Sequence, residues 1–268
     1  MAKKTITNLQ KMKMNAEKIT CITAYDASFA QILAESGVDI ILVGDSLGMV
    51  IQGHDSTVPV TMKDMIYHTQ LVSKGNNRAN TSAFLIADLP YMSYATPEQT
   101  YKNASKLMQA GAQMVKFEGG SWLLSTITGL VERGIPVCGH LGLTPQSVDA
   151  LGGYQIQGKD ASSANKIKQE AQKLVDAGIQ MLVLECVPTN LAKEISETLV
   201  VPVIGIGAGK HTDAQVLVLY DMLGITPGFK AKFVKNFMAD NNDVCSAIKS
   251  FIHEVKSGIF PTDKHSFH

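Results

Sequence analysis

At residues 40–48 the chain reads Ile-Ile-Leu-Val-Gly-Asp-Ser-Leu-Gly. Four apolar residues follow one another and then stop at a glycine, a carboxylate and a hydroxyl. An unbroken apolar run of this length is typical of a strand that is buried on both faces, as in a parallel sheet. The stretch therefore predicts a buried strand whose end brings two polar side chains, Asp45 and Ser46, out of the core.

The same arrangement recurs further along the chain. A helix end, a glycine and an apolar run occur at residues 36–43, 110–117 and 177–184, and a shorter copy lies at 133–138. Glycine commonly ends a helix because it adopts a positive φ without strain. Repetition of helix, glycine and strand is typical of an α/β fold with short connections.

The remaining elements follow from apolar periodicity and capping residues. Helices are predicted at 7–15, 26–36, 61–75, 96–111, 230–239 and 243–256, with a loop at 75–81 and a capping box closed by Gln99. Strands are predicted at 19–24, 40–43, 83–87, 112–117, 135–138, 179–184 and 201–205, with an eighth at 215–219 that could equally be a helix.

Seven or eight parallel strands alternating with helices favour an α/β fold of the (β/α)8 TIM-barrel type. We predict one barrel domain over residues 1–268, with an N-terminal extension at 1–17 that holds a short helix and a flexible, frayed tail at 262–268. A doubly wound open sheet is the alternative. Its dinucleotide-binding form would carry an early GxGxxG, which is absent, and the glycine loop at 205–209 comes late and lacks that spacing.

Composition excludes several classes of protein. Lys+Arg and Asp+Glu number 24 each, so no basic surplus points to nucleic acid or to a membrane surface. The N-terminus lacks a signal-peptide pattern, and no apolar run approaches the roughly 18 residues of a spanning helix. We therefore expect a cytoplasmic protein. For the cysteines, buried reduced thiols are favoured over a nucleophile or a disulfide; they are Cys21, Cys138, Cys186 and Cys245.

Polar side chains stand at or just after five consecutive predicted strands. In a barrel these positions share one rim, where enzymes of this fold place their chemistry. Three neighbouring carboxylates would repel one another unless a cation or proton offset their charge. Oxygen ligands without a His/Cys cluster favour a hard ion such as Mg²⁺. The side chains are Asp45 and Ser46, Asp88, Lys116 and Glu118, His140, and Glu185.

Each of these residues also has a plainer interpretation. Asp45 and Asp88 could cap turns, and Lys116 could form a structural pair with Glu118, since residues two apart on a strand face the same side. His140 and Glu185 could be ordinary structural residues. The glycine loop could bind phosphate or simply turn tightly. Their coincidence on five strands favours a shared site.

These residues belong to motifs that resemble the ketopantoate hydroxymethyltransferase family. The similarity extends over nearly the whole chain. The chain departs from the family at two places. Asp213-Ala214-Gln215 stands where the family usually has Asp-Gly-Gln, and the loop at 75–81 is a few residues longer than is usual in the family. The matching motifs are Gly44–Val50, Gly53–Thr57, Ala87–Pro90, Val115–Gly120, Gly139–Gln146, Leu151–Tyr154, Leu184-Glu185 and Gly205–Gly209.

The resemblance implies a (β/α)8 barrel that binds one Mg²⁺ per subunit and a branched 2-oxo acid. It implies transfer of a one-carbon unit from 5,10-methylenetetrahydrofolate to 3-methyl-2-oxobutanoate, which gives 2-dehydropantoate for pantothenate biosynthesis. It also implies a homodecamer of paired five-membered rings. By matching positions, the resemblance implies that the metal ligands are Asp45 and Asp88, with Glu118 at or near the ion or bound through water. The implied substrate-binding residues are Asp45, Ser46, Asp88 and Lys116. The implied proton acceptor is Glu185, and His140 lies in the pocket with an open role.

The residue chemistry agrees with this reaction. Forming a carbon–carbon bond beside a ketone requires an enolate, and a metal held by the keto and carboxylate oxygens makes the neighbouring C–H more acidic. A carboxylate such as Glu185 can act as the base if burial raises its pKa. Lys116 would help to stabilise the oxyanion. The polar loop at 49–59 is our candidate for a lid, because its length exceeds that of a simple connection.

Three other functions remain as alternatives. The nearest is another Mg²⁺-dependent carbon–carbon lyase or aldolase of 2-oxo acids, but Val137–His140 matches only the second half of the Lys-Lys-Cys-Gly-His motif that such lyases commonly carry. A phosphate-binding isomerase would use the glycine loop and need no metal. A non-catalytic binding protein would leave the converging acids unexplained.

Overall fold

Eight parallel strands close into a barrel in the computed structural model, which describes residues 2–228 and 230–268. The strands pair in the cyclic order β8-β1-β2-β3-β4-β5-β6-β7. The predicted TIM barrel is confirmed, the open-sheet alternative is wrong, and the ambiguous eighth element is a strand. The strands are β1 Ile19–Thr23, β2 Ile40–Val43, β3 Phe84–Asp88, β4 Met114–Glu118, β5 Val137–Gly142, β6 Met181–Glu185, β7 Val203–Ile206 and β8 Ala214–Leu217.

Helices follow the strands around the outside of the barrel. Two further strands, Ala2–Lys3 and Thr81–Ser82, form a small parallel pair, and single turns of 3₁₀ helix lie at Ser121–Leu123, Pro145–Ser147, Phe237–Asp240 and Asp263–His265. Within the residues given above, no helix has the length and apolar character to cross a membrane. The helices are α1 Ile6–Met14, α2 Ala27–Glu35, α3 Leu47–Val50, α4 Met62–Asn76, α5 Pro97–Gln109, α6 Leu124–Glu132, α7 Ala161–Asp176, α8 Thr189–Thr198, α9 Leu219–Met222 and α10 Val244–Lys256.

The four glycines of the sequence repeat all have the expected backbone conformation. Gly37, Gly111, Gly134 and Gly178 have φ angles of 89°, 111°, 75° and 106°. Each follows a helix and precedes a barrel strand, so each turns the chain back into the barrel. The repeat of helix, glycine and strand is therefore confirmed.

Several predicted boundaries need correction. Gly75 lies inside α4 rather than after it. A Cβ there would meet the Ala27 carbonyl oxygen at 2.0 Å, so the glycine lets α2 and α4 approach closely. Gln99 accepts from the N–H of Ala95 rather than from that of the capping residue Thr96, so no capping box forms. The loop at 49–59 begins inside α3.

The helix predicted at 230–239 is wrong. The segment is irregular until the 3₁₀ turn at Phe237–Asp240, which Asn236 caps through its side chain. Phe233 instead covers Gly207 in the loop after β7. The tail predicted to be frayed makes specific contacts: Phe267 O accepts from Thr189 N at 2.8 Å, and Lys232 Nζ donates to Ser266 O at 2.6 Å.

Alternate residues of the strands point into the barrel, and on β3, β4 and β6 these inward residues change from apolar to charged along the strand. The deep interior is apolar, and the α1 residue Leu9 packs against its bottom. Cys21 and Cys138 belong to this interior; all four cysteines are free, and only Cys245 is exposed. The inward series run Phe84, Ile86, Asp88 on β3; Met114, Lys116, Glu118 on β4; and Met181, Val183, Glu185 on β6.

One buried carboxylate lies at the opposite, N-terminal end of the barrel. Asp39 directly precedes β2 and is 1% exposed. Its oxygens accept from the backbone N–H and the hydroxyl of Thr20, both at 2.9 Å. They also pair with the ammonium groups of Lys4 and Lys256, the second at 2.7 Å. Every bond to this carboxylate comes from a donor that stabilises its negative charge.

Candidate active site

The strand ends bring three of the predicted residues into direct contact on the C-terminal rim. Lys116 Nζ lies 2.8 Å from Asp88 Oδ1, and the backbone N–H of Asp45 donates to Asp88 Oδ2 at 3.2 Å. All three side chains are at most 4% exposed. The ammonium group therefore pairs across strands with Asp88, rather than with Glu118 of its own strand as the structural-pair interpretation required.

His140 connects two further carboxylates. Its Nδ1 lies 3.3 Å from Glu118 Oε1, and its Nε2 lies 3.3 Å from Glu185 Oε2. Burial opposes a charged imidazole, but the carboxylates of Glu118 and Glu185 outweigh it and raise the pKa of His140 to about 9. The ring is thus an imidazolium at neutral pH, held between two acids.

Gln146 joins these two groups of residues, and the sequence analysis did not select it as a site residue. Its Nε2 donates to Asp45 Oδ2 at 2.7 Å and to the Leu89 carbonyl at 3.0 Å, while its backbone N–H donates to Glu118 Oε2 at 3.0 Å. The Tyr94 hydroxyl donates to its Oε1. This residue therefore orients both carboxylates, Asp45 through its side-chain amide and Glu118 through its backbone N–H.

Negative charge exceeds positive charge in this cluster. Four carboxylates, those of Asp45, Asp88, Glu118 and Glu185, face one ammonium and one imidazolium, which leaves a net charge of −2 when all are ionised. Burial, Asp88 and Glu118 together raise the pKa of Asp45 well above its usual value. This carboxyl therefore holds its proton unless a further cation joins the site.

The charge and the donor chemistry fit a divalent hard cation. Asp45 and Asp88 are adjacent oxygen donors, and the missing charge equals that of Mg²⁺. Both oxygens of Glu118 already have partners, so this residue suits a ligand role through water better than a direct one. Over residues 2–228 and 230–268, no three His, Cys, Asp or Glu side chains form a ready metal cluster.

Ser46 lies beside this cluster and contacts a second residue that sequence reasoning missed. The Tyr25 and Ser46 hydroxyl oxygens are 2.9 Å apart. Tyr25 follows β1 by two residues, so the rule applied to strands two to six would have found it at strand one. Gln146 also had a signal, because it ends the run Gly139–Gln146, one of the motifs that carry the family resemblance.

The glycine loop after β7 is filled by side chains. A Cβ on Gly207 would meet Phe233 at 2.8 Å, and a Cβ on Gly209 would meet Thr189 at 2.5 Å. These glycines therefore permit close packing. Of the two interpretations of this loop, the tight turn agrees with these contacts better than the phosphate site.

Two loops meet across the mouth of the site. The Tyr154 hydroxyl, in the loop after β5, lies 3.8 Å from Met49 Sδ in α3. Burial raises the pKa of Tyr154, and the charges of Glu185 and Asp45 raise it further. Both residues are partly exposed, at 55% and 39%.

Comparison with known proteins agrees with this site. A family model described as ketopantoate hydroxymethyltransferase matches residues 3–263. The chain is 58% identical over 267 residues to 3-methyl-2-oxobutanoate hydroxymethyltransferase of Alteromonas mediterranea, with 100% of each chain covered. Two solved structures share the fold. One is a 2,3-dimethylmalate lyase of the PEP mutase/isocitrate lyase superfamily, with a TM-score of 0.58 and 16% identity over 94% of this chain and 98% of that one. The other is a phosphonopyruvate hydrolase complex with oxalate and Mg²⁺, with a TM-score of 0.60 and 11% identity over 80% of each chain.

The family model covers almost the whole chain, and the relative is matched from end to end at high identity. This chain therefore belongs to the ketopantoate hydroxymethyltransferase family of enzymes.

Proposed function

We propose that this enzyme transfers a one-carbon unit from 5,10-methylenetetrahydrofolate to 3-methyl-2-oxobutanoate and forms 2-dehydropantoate, for pantothenate biosynthesis, through a Mg²⁺-supported enolate. The observation that carries the proposal is the buried cluster of four carboxylates, one ammonium and one imidazolium on a single rim. The reaction needs these groups: oxygen ligands for a hard cation, a cation for the substrate carboxylate, and a carboxylate base.

Asp45 and Asp88 would hold the metal, with Glu118 acting through water. Bound there, Mg²⁺ supplies Lewis-acid chemistry that makes the C–H next to the ketone more acidic. The chain itself prepares this role, because Gln146 fixes Asp45 through Oδ2 and leaves Oδ1 for the ion. The supporting observation is the raised pKa of Asp45, which burial, Asp88 and Glu118 cause.

Ser46 and Lys116 would bind the substrate carboxylate, beside the two aspartates. Burial opposes the charged form of Lys116, but Asp88, Glu118 and Asp45 raise its pKa, so the ammonium group stays charged. A buried ammonium can thus attract the carboxylate and stabilise the oxyanion of the enolate. Ser46 supplies a neutral hydroxyl for a second hydrogen bond.

Glu185 would take the proton from C3 of the keto acid. The Glu185 side chain is 14% exposed, against 3% for that of Glu118. Of these two glutamates, Glu185 is therefore the more accessible to a ligand. The imidazolium of His140 lies beside it, with Nε2 3.3 Å from Glu185 Oε2. His140 would thus act as a positioning and electrostatic partner of the base.

The lyase alternative is less well supported. Its half-motif would make Cys138 the catalytic thiol, but this residue is fully buried in the barrel interior. Burial raises the pKa of the Cys138 thiol to about 12. A reactive cysteine needs an accessible thiolate at neutral pH, which this site does not provide.

The other expectations from the sequence and from the resemblance are part of the same proposal. They are a homodecamer of paired five-membered rings, a cytoplasmic location, a single barrel domain, and a lid formed by the loop at 49–59. The contact between Met49 and Tyr154 supports the lid, because it joins two loops across the mouth of the site.

One assay tests the reaction. The protein is incubated in D₂O with 3-methyl-2-oxobutanoate and Mg²⁺, and the loss of the C3 proton signal is followed by NMR; methylenetetrahydrofolate is then added. We expect Mg²⁺-dependent exchange first and folate-dependent formation of 2-dehydropantoate afterwards. Absence of both would contradict the proposal, whereas folate-independent cleavage of a carbon–carbon bond would support the lyase.

A further inference from the structure

Tyr94 lies six residues after β3 and is held firmly beside the acidic cluster. Its ring is stacked against those of Phe117 and Trp122, with centroid distances of 5.5 and 5.9 Å and interplanar angles of 28° and 17°. The backbone before it is fixed as well, because the buried Asn103 side chain donates from Nδ2 to the Ser93 carbonyl oxygen at 2.7 Å. Tyr94 is 6% exposed, so its hydroxyl has a defined position.

The hydroxyl of Tyr94 meets the side-chain amide of Gln146, and the direction of this hydrogen bond follows from the neighbours. The Tyr94 oxygen is 2.5 Å from Gln146 Oε1 and 3.3 Å from the Glu118 carbonyl oxygen. Gln146 Nε2 lies 3.0 Å from the Leu89 carbonyl oxygen, which can only accept. The NH₂ group must therefore face Leu89, so the amide oxygen faces Tyr94 and the phenol donates.

The phenol is a suitable donor because it keeps its proton. Burial raises the pKa of Tyr94, and the charge of Glu118 raises it further. In the part of the chain that the structure describes, Tyr94 is the one donor to Gln146 Oε1. The Gln146 side chain is itself buried, at 4% exposure, so solvent does not readily replace this donor.

We propose that Tyr94 is a positioning residue for the metal site, because its hydrogen bond holds the Gln146 amide in the orientation that presents Nε2 to Asp45. The inference rests on the proposed function, in which Asp45 binds Mg²⁺. Gln146 Nε2 donates to Asp45 Oδ2 at 2.7 Å in this orientation. Without the phenol, Oε1 would be a buried acceptor that lacks a donor, which is costly, and the amide would turn to find one. Asp45 would then lose the bond that orients it.

Calorimetry with Mg²⁺ alone measures the effect on the metal site. The variants are Tyr94→Phe, which keeps the ring and removes the hydroxyl, Gln146→Met, and the double variant. Asp45→Ala tests the metal site itself. Tyr101→Phe is the matched control, because it removes a hydroxyl from a partly buried tyrosine on α5 whose ring contacts Arg133.

The chain contains its own reporter for the position of the ring. Trp122 is the only tryptophan in the sequence, and it stacks on Tyr94. Its fluorescence emission therefore reports whether the ring at position 94 stays in place. Tyr94→Phe should keep the emission spectrum of the parent while the affinity for Mg²⁺ falls, which separates loss of the hydroxyl from loss of packing.

We expect Tyr94→Phe to weaken Mg²⁺ binding about 5-fold, the size of one neutral hydrogen bond. Gln146→Met should weaken it about 10-fold. The double variant should also lose about 10-fold, because both changes break the same chain of bonds, whereas independent effects would multiply to about 50-fold. Tyr101→Phe should stay within about 2-fold of the parent.

A Tyr94→Phe affinity within about 2-fold of the parent, or a loss of about 50-fold in the double variant, would overturn the inference and leave the proposed function intact. If Asp45→Ala binds Mg²⁺ as tightly as the parent, the metal assignment is wrong, and the inference falls with it.

If Tyr94→Phe does not fold, Asn103→Leu decides, because it releases the backbone that carries Tyr94. A loss of Mg²⁺ affinity that disappears in the Gln146→Met background would support the inference. Unchanged affinity, or a loss that persists in that background, would contradict it.

Discussion

Asp39 and Asp45 stand at opposite ends of the same strand and have opposite electrostatic surroundings. Asp39, before β2, faces two lysines and two donors of Thr20. Burial alone would raise its pKa, but Lys256 and Lys4 outweigh burial and lower it. Asp45, after β2, faces other carboxylates, and its pKa is raised by burial, Asp88 and Glu118. Both side chains are buried, so burial does not explain the difference.

The two ends of this barrel therefore have different roles. At the N-terminal end the Asp39 carboxylate has its charge partners, Lys4 and Lys256, within the fold, and this cluster joins segments that are distant in the chain. At the C-terminal rim the fold leaves negative charge in excess, which costs stability and creates affinity for a cation. Four predictions can break or sharpen this comparison, and they follow in order of expected size.

The largest effect is expected at the rim, on catalysis. Glu185→Gln should slow exchange of the C3 proton into D₂O by about 10²- to 10⁴-fold, because an amide cannot accept that proton. Affinity for Mg²⁺ and for the keto acid should change little, as the glutamine fills the same space. The matched control is Glu194→Gln on exposed α8. Exchange at the parent rate in Glu185→Gln would exclude this residue as the base.

The next effect concerns stability at the N-terminal end. Asp39→Asn removes the charge between Lys4 and Lys256; breaking a fully buried pair costs about 3–5 kcal/mol, and the partial exposure of both lysines reduces this to about 2 kcal/mol. Urea unfolding of the metal-free protein measures it, with exposed Asp240→Asn as control. A loss below about 0.5 kcal/mol would show that the cluster contributes no more than a surface pair.

A smaller effect is expected on metal affinity. Gln146→Met keeps the volume but removes the bonds of the side-chain amide to Asp45 and Leu89. Loss of such an outer partner typically weakens metal binding by about 10- to 100-fold, and we expect the lower end here because the backbone N–H of residue 146 still holds Glu118. Calorimetry with Mg²⁺ alone is the measurement, and Gln172→Met on α7 is the control. Unchanged affinity would refute the proposed orientation of Asp45.

The smallest effect has the opposite sign to that of Asp39→Asn. Asp45→Asn should stabilise the metal-free protein by about 1 kcal/mol, because the folded protein no longer has to keep protonated a carboxyl that ionises freely in the unfolded chain, while it weakens Mg²⁺ binding. Urea unfolding with a chelator present measures the gain. Destabilisation instead would mean that the carboxylate is well compensated without a cation.

The two variants should also respond to pH in opposite ways. The folded pKa of Asp39 is lowered, so its contribution is complete above about pH 4 and is lost as the pH falls through that lowered value. The folded pKa of Asp45 is raised, so its cost is absent below about pH 4 and grows as the pH rises towards that raised value. As the pH falls, the destabilisation caused by Asp39→Asn should therefore become smaller, and so should the stabilisation caused by Asp45→Asn. The unfolding free energies of the two variants thus approach that of the parent from opposite sides.

The sequence predicted the barrel because its signals are local. Gly37, Gly111, Gly134 and Gly178 each mark a helix end by their backbone conformation, and the neighbouring apolar runs mark the strands. The position of Lys116 and Glu118 on one inward face follows from alternation alone. These features need no knowledge of which strand lies beside which.

Most of the misses depend on contacts between residues that are distant in the chain. Lys116 pairs with Asp88 because β3 and β4 align these two residues in register, which neither strand reveals by itself. Gln146 and Tyr25 make their important bonds to residues 101 and 21 positions away. The segment at 230–239 has a helical pattern, but its Phe233 is used to cover Gly207, and the backbone follows that contact.

Leu9 closes the bottom of the barrel, and this has a kinetic consequence. With α1 packed against the apolar interior, the rim is the entrance that remains. In the proposed reaction, a small keto acid bound by Lys116 and the aspartates would enter before a bulky folate covers the mouth, and the product would leave after the folate. The proposed reaction would then follow an ordered sequence of binding, which product-inhibition patterns would reveal.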